Sequence, residues 1–167
     1  MTGMCIAAAN YLIERTNDYN HADGRTFLDE IPMTCKRLQK LLYFSEVVYM
    51  KRHSGTPMLK DKFYAWPSGP VIPSVYYQFQ DFQGGYMEPI KCNNPELKDE
   101  EREALSFVFN ETVDLDTLDL VNISHIEDGP WAKVYDPNDS NYESVVEKEE
   151  IYRFYQNIEE SKLFLIP

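Results

Sequence analysis

The sequence predicts a mainly α (α+β) fold: a single compact helical domain of about five to six helices with a short β element around Phe63–Trp66. Three observations lead there. Apolar residues recur at three- and four-residue spacing in several separate stretches, which is the mark of helices with one buried face. Phe63-Tyr64-Ala65-Trp66 is short, aromatic and free of helix punctuation, so it reads as a strand. With 167 residues, 43% of them hydrophobic and 14% aromatic, the chain is long enough for one core without staples, so residues 1–167 are expected to form one domain.

Met4 to about Tyr19 is the first helix, with Ala8, Tyr11, Leu12 and Arg15 on one face. Asn17 to Pro32 is polar and broken by Gly24 and Pro32, so it reads as a loop; Phe27, Leu28 and Ile31 are expected to pack its end down. Thr34 then fits as the N-cap of a helix of about twenty residues, whose stripe is Leu38, Leu41, Leu42, Ser45, Val48 and Tyr49. Lys36, Arg37 and Lys40 fall on its other faces. Gly55 and Pro57 end it, and it is expected to be the central helix.

A rigid corner follows from Asp61 to Phe82. Pro67 ends the strand, and Ser68-Gly69 is a turn signal in which Gly69 takes a positive φ. Beyond Pro73 the spacing turns helical through Val75, Tyr76, Phe79 and Phe82, with Gly84-Gly85 as its stop. Asp99-Glu100-Glu101 starts another helix with charge suited to its dipole, and its stripe is Ala104, Leu105, Val108 and Phe109. Asp116 caps a short helix that runs to about His125. Gly129-Pro130 and Pro137 punctuate the chain next, and a last helix runs from Glu147 to about Ile158. Leu163 to Ile166 is an apolar end expected to dock on the body or on a partner.

Sixteen Lys and Arg against 28 Asp and Glu give a net charge of -12, which repels phosphate and argues against direct nucleic-acid binding. Such a surface suits rapid capture of a basic partner. Cys5, Cys35 and Cys92 are odd in number and widely spaced, so they read as reduced thiols in a cytoplasmic protein. No segment approaches the roughly 18 apolar residues of a membrane span, so no membrane association is expected.

No phosphate-cradling glycine loop, Gly-x-Ser-x-Gly elbow or His-Glu-x-x-His helix occurs, so no catalytic residues, cofactor or metal are expected. His21 and His53 read as solvated loop and helix-end residues. His125 closes an apolar helix six residues before Trp131 and is placed to hydrogen-bond across the Gly129-Pro130 turn and hold that ring. A Cys–His enzyme is the minor reading, since nothing places a thiol in an electropositive pocket. Trp66 and Trp131 read as core anchors, or as interface hot spots if exposed.

Five pieces in order, namely Ala8 to Ile13, Leu38 to Phe44, Ala65 to Pro73 with Val75-Tyr76, Ser124-His125 with Pro130-Trp131, and Ile151 to Tyr155, resemble the Panacea antitoxin-domain family, which includes GepA-like and phage-associated proteins. The resemblance implies a mostly helical, non-catalytic antitoxin that neutralises a cognate protein toxin by contact. The acidic chain adds that the toxin is basic. A proteolytic adaptor or a phage accessory protein that binds a host or toxin protein is the alternative. The candidate partner-binding or frame residues are Lys40, Tyr43, Trp66, Gly69, Pro70, Val71, Tyr76, His125 and Trp131.

Overall fold

The helix with the longest apolar stripe becomes the axis of the structure. The computed structural model describes residues 3–82, 86–91 and 93–165. Among them, α1 spans Gly3–Asn20, α2 Cys35–Arg52, α3 Pro73–Phe79, α4 Asp99–Thr112, α5 Thr117–Ser124, α6 Pro130–Val134 and α7 Lys148–Tyr155. Strands β1 (Phe63–Trp66), β2 (Gly69–Val71) and β3 (Val145–Val146) form an antiparallel sheet in the order β2-β1-β3. Helix α2 touches α1, α3, α4, α5, α7 and β2, most extensively α4. The mainly helical α+β expectation therefore holds, with seven helices among the described residues and two strands more than expected.

Thr34 caps α2 by accepting a hydrogen bond from the Arg37 amide at 3.1 Å, as its position implied. Leu38, Leu41, Leu42, Ser45 and Val48 are buried, and each large apolar side chain among them contributes about 1.5–3 kcal/mol by leaving water. The polar residues depart from expectation. Arg37, Gln39, Lys40 and Glu46 are buried too, because residues 37–48 of α2 are packed on every side and only its ends, at Lys36 and Arg52, are exposed.

Each of these buried polar groups is spent on backbone. The Arg37 guanidinium donates to Leu115 O at 2.7 Å and Thr112 O at 2.9 Å, which satisfies carbonyls at the end of α4. The Gln39 amide accepts from the Ile72 N–H at 2.8 Å and donates to its carbonyl at 3.4 Å. The Glu46 carboxylate accepts from Met58 N and Leu59 N, both at 3.0 Å, and pairs with Lys148 Nζ at 3.0 Å. Burial raises the Glu46 pKa against the opposing pull of Lys148 and the two amides.

Helix α1 repeats the device with asparagines. Asn10 brackets the Ile90 backbone at 2.8 and 2.9 Å, and Asn20 brackets that of Ile31 at 2.8 and 2.7 Å. Ile31 is thereby buried as expected, but Phe27 and Leu28 are not: they are 78% and 80% exposed. They sit on a 3-10 turn, Phe27–Asp29, that Thr26 and Asp29 close with a reciprocal capping box, so its hydrogen bonds turn inward and the side chains stand off the body.

Other boundaries shift for local reasons. Gly69-Pro70-Val71 reads as a breaker, yet it pairs with β1 through Tyr64↔Val71, Ala65↔Pro70 and Trp66↔Gly69, because a proline is tolerated on an edge strand. Pro130 starts α6 at its first helical position, where the missing N–H costs nothing. Helix α3 ends at Phe79, so Phe82 lies beyond it at the surface, while Gly84-Gly85, Cys92 and Ile166 lie outside the described residues. Asp116 caps α5 in a reciprocal box with Asp119, as the sequence implied. Leu163 and Phe164 dock on the body, with Phe164 edge-on to Phe44 at 5.1 Å.

Removing Lys148 would leave the Glu46 charge buried without its counter-ion. Lys148→Ala is expected to lower the unfolding free energy by about 3 kcal/mol, measured by urea titration; a loss below about 1 kcal/mol would show that the pair is not coupled to folding.

Candidate functional site

The candidate site is the β1–β2 hairpin seated on α2, α5 and α6. Lys40, fully buried, donates from Nζ to Pro70 O at 2.7 Å and so pins the outer strand to the axis. Gly69 lies directly over this contact at φ +110°, a region other residues rarely adopt. A Cβ there would meet Ser124 Oγ at 2.6 Å and Lys40 Cε at 2.9 Å. The glycine thus meets two demands, a positive φ and a close approach of backbone to side chain.

The second half is an aromatic stack. His125 lies parallel to Trp131 at 3.6 Å with 2° between planes, and Trp131 lies on Tyr135 at 4.5 Å and 16°. The Trp131 indole N–H donates to Trp66 O at 2.8 Å, joining α6 to the hairpin. His125 therefore holds Trp131 by ring stacking, where the sequence led one to expect a hydrogen bond. Its Nε2 is buried without a hydrogen-bond partner.

Charge is suppressed throughout this interior. Burial pushes the Lys40 pKa down to about 7, and nearby Lys36 adds to the effect. Burial, and then Lys40, lower the His125 pKa to about 4, so its imidazole is neutral at physiological pH. An amine and a hydroxyl thus gather beneath Gly69, and the imidazole of His125, the residue after Ser124, lies on Trp131. However, Ser124 Oγ donates to Val121 O at 2.7 Å, Lys40 donates to Pro70 O, and both residues are shut off from solvent. The cluster does structural work.

The nine candidates divide by depth. Lys40 and Tyr43 are fully buried, and Tyr43 packs edge-on to Phe44, Phe63 and Tyr155. Gly69, Pro70, Val71 and Trp131 are buried as well. Trp66, Tyr76 and His125 are half-buried. Trp66 packs on Tyr76 at 4.9 Å and Tyr77 at 6.3 Å, and Tyr77 is exposed. Lys40, Trp66, Gly69, Pro70, His125 and Trp131 form one connected cluster; Tyr43 lies about one turn further along α2, against Phe63.

Gln39 and Tyr135 were missed. Tyr135 stands four residues after Trp131, a helical spacing hidden by reading Gly129-Pro130 as a plain turn. Gln39 sits next to Lys40 and holds the adjoining Ile72 backbone; no spacing rule flags a buried amide.

The Cys35 thiol is half-buried, and burial pushes its pKa up to about 11, which keeps it protonated at neutral pH. Among the described residues, no group of three His, Cys, Asp or Glu is placed to hold a metal ion, and no helix is long and apolar enough to cross a membrane.

This hairpin, its α2 seat and the His125–Trp131 stack all fall within the stretch matched by a family model, Antitoxin SocA-like, Panacea domain, which covers residues 38–132. The chain belongs to that family. No curated protein and no solved structure matches it. In this Panacea domain the matched stretch opens at Leu38, inside α2, and closes at Ala132, inside α6, so its two ends bracket the hairpin's supports.

The neutral His125 carries a pH signature. Its folded pKa lies below the ordinary value, so its contribution to stability is full above about pH 6.5 and is lost as pH falls toward about 4. Over that window the wild-type chain is expected to lose stability more steeply than His125→Gln, measured by thermal melts at a series of pH values. Superimposable profiles would contradict a neutral, desolvated imidazole.

Proposed function

We propose that this protein is the antitoxin of a toxin–antitoxin pair and that it neutralises a cognate protein toxin by direct binding. The observation that carries this reading is membership of the SocA-like antitoxin family over residues 38–132. The fold is consistent with a passive partner: the reactive groups near the hairpin are occupied by backbone carbonyls or closed off from solvent. A stable interface of about 1,200–2,000 Å² in total would suffice to cover a toxin's working surface.

Charge supplies the kinetics. At a net charge of -12 the chain attracts a basic toxin over distances beyond contact, and salt screens that attraction. The hairpin and its aromatic stack act as the frame that keeps the docking surface in shape, so less ordering is lost on binding.

The test is genetic and kinetic. A reading frame next to this one should arrest growth when expressed alone, and co-expression of this chain should restore growth. Purified partners should associate more slowly at high salt than at low salt. If no neighbouring product is toxic, or if toxicity persists with this chain present, the antitoxin reading fails. Relief that requires a cellular protease would replace occlusion by delivery to degradation.

A further inference from the structure

Outside the hairpin cluster, one surface gathers the features of a docking site. A cleft of about 730 Å³ opens between the loop that follows α1 and a wall of Tyr76, Gln80, Phe82, Tyr86 and Met87. That volume is in the range of pockets that hold compact ligands or several side chains. Its floor includes Met33 and Cys35, and its mouth includes Glu30, Phe82 and Tyr86. Among the described residues seven large apolar or aromatic side chains are exposed; Phe82 and Tyr86 line this cleft, and Phe27 and Leu28 stand on the same loop as its Glu30–Thr34 wall without lining it. Singly exposed apolar residues are ordinary, but two at the mouth of one cleft and two more on the loop that forms its other wall call for a partner.

Both walls are held in place. The Tyr86 hydroxyl donates to Glu30 Oε1 at 2.7 Å, and the His21 and Tyr86 rings lie 4.9 Å apart. Asn20 fixes the Ile31 backbone, and Thr26 with Asp29 closes the turn that carries Phe27 and Leu28. Side chains presented on a stiffened turn lose little freedom on binding.

Charge selects the occupant. The loop after α1 and the stretch from Tyr76 to Phe82 carry Asp23, Asp29, Glu30 and Asp81 against Arg25, whose guanidinium already lies 3.4 Å over the Tyr19 ring; Lys36, from α2, is the one cation that lines the cleft among the described residues. A second copy of this chain would set one acidic rim against another, in a molecule already at net -12. A basic segment with a large apolar side chain satisfies both the charge and the cleft.

We infer that the cognate toxin docks here through a basic segment that seats a large apolar side chain in the cleft, while Phe27 and Leu28 press into the toxin's own surface. This rests on the antitoxin reading above. Residues 20–34 lie outside the stretch matched by the family model, whereas the wall of Tyr76, Gln80, Phe82, Tyr86 and Met87 lies inside it. The site therefore joins a wall of the shared domain to one beyond it, and the second wall is where discrimination between toxins would reside.

The experiment measures binding of the purified product of the neighbouring toxic reading frame to the full chain by calorimetry. The double variant Phe27→Ser/Leu28→Ser and the single variant Phe82→Ser are expected to raise Kd at least tenfold, the double variant with an unchanged melting temperature because its two side chains are 78% and 80% exposed. Leu118→Ser and Leu165→Ser, both at exposed positions elsewhere, are expected to leave Kd within twofold. Wild-type affinity in both cleft variants would overturn the docking site and leave the antitoxin reading standing. Failure of the wild-type chain to bind would overturn both. Dimerisation of the free chain that these substitutions abolish would assign the surface to a second copy and overturn the proposal.

Discussion

A helix buried on all sides must either be wholly apolar or find a partner for every polar group it carries, since an unpaired buried donor or acceptor costs about 1–3 kcal/mol. Over residues 37–48, helix α2 takes the second course for most of its polar groups, leaving Arg37 Nε and the Tyr43 hydroxyl as exceptions. Arg37, Gln39, Lys40 and Glu46 each reach a segment that is not part of a regular ladder with it: the end of α4, the start of α3, the outer strand, and the chain at Met58 and Leu59. Those segments have backbone groups to satisfy, and α2 supplies the complement. Neither could be buried without the other, so the axis and the loops around it fold as one unit.

The site follows from that constraint. The hairpin is two short strands, too little to be stable alone. It keeps its shape because Lys40 and Gln39 grip β2 and the residue after it, because Gly69 lets the backbone lie against Lys40 and Ser124, and because Trp131 ties the far end at Trp66. Desolvation that keeps Lys40 and His125 from charging fully belongs to the same packing. The result is a stiff frame with its reactive groups turned inward. A protein that acts by holding another protein gains from such a frame, because binding then orders little that was not already ordered.

Much of this was legible in the sequence and some was not, for identifiable reasons. The α2 stripe, the Thr34 and Asp116 caps, the Phe63–Trp66 strand and the positive φ of Gly69 are local signals, and all appear in the structure. Strand β3 has two residues and pairs with β1 about eighty positions away, so no local pattern announces it. Strand β2 was hidden by a glycine and a proline that an edge position tolerates. Lys36, Arg37 and Lys40 fall on faces of α2 away from the apolar stripe, and periodicity alone does not tell that Arg37 and Lys40 are buried there while Lys36 is exposed. Phe27 and Leu28 were expected to be buried for being apolar; their capped turn holds them out. In the site, Trp66, Gly69, His125 and Trp131 were named from the sequence, whereas their contact with Lys40 depends on how α2, the hairpin and α5 pack together.

The central claim is that buried polar side chains of α2 hold non-helical backbone as firmly as a helix holds its own. Native-state hydrogen exchange tests it at three amides, Met58 and Leu59, which donate to Glu46, and Ile72, which donates to Gln39. The account predicts that all three exchange only through global unfolding, with the same opening free energy as the amides at the centre of α2. Exchange of these amides at loop-like rates, while α2 stays protected, would contradict it.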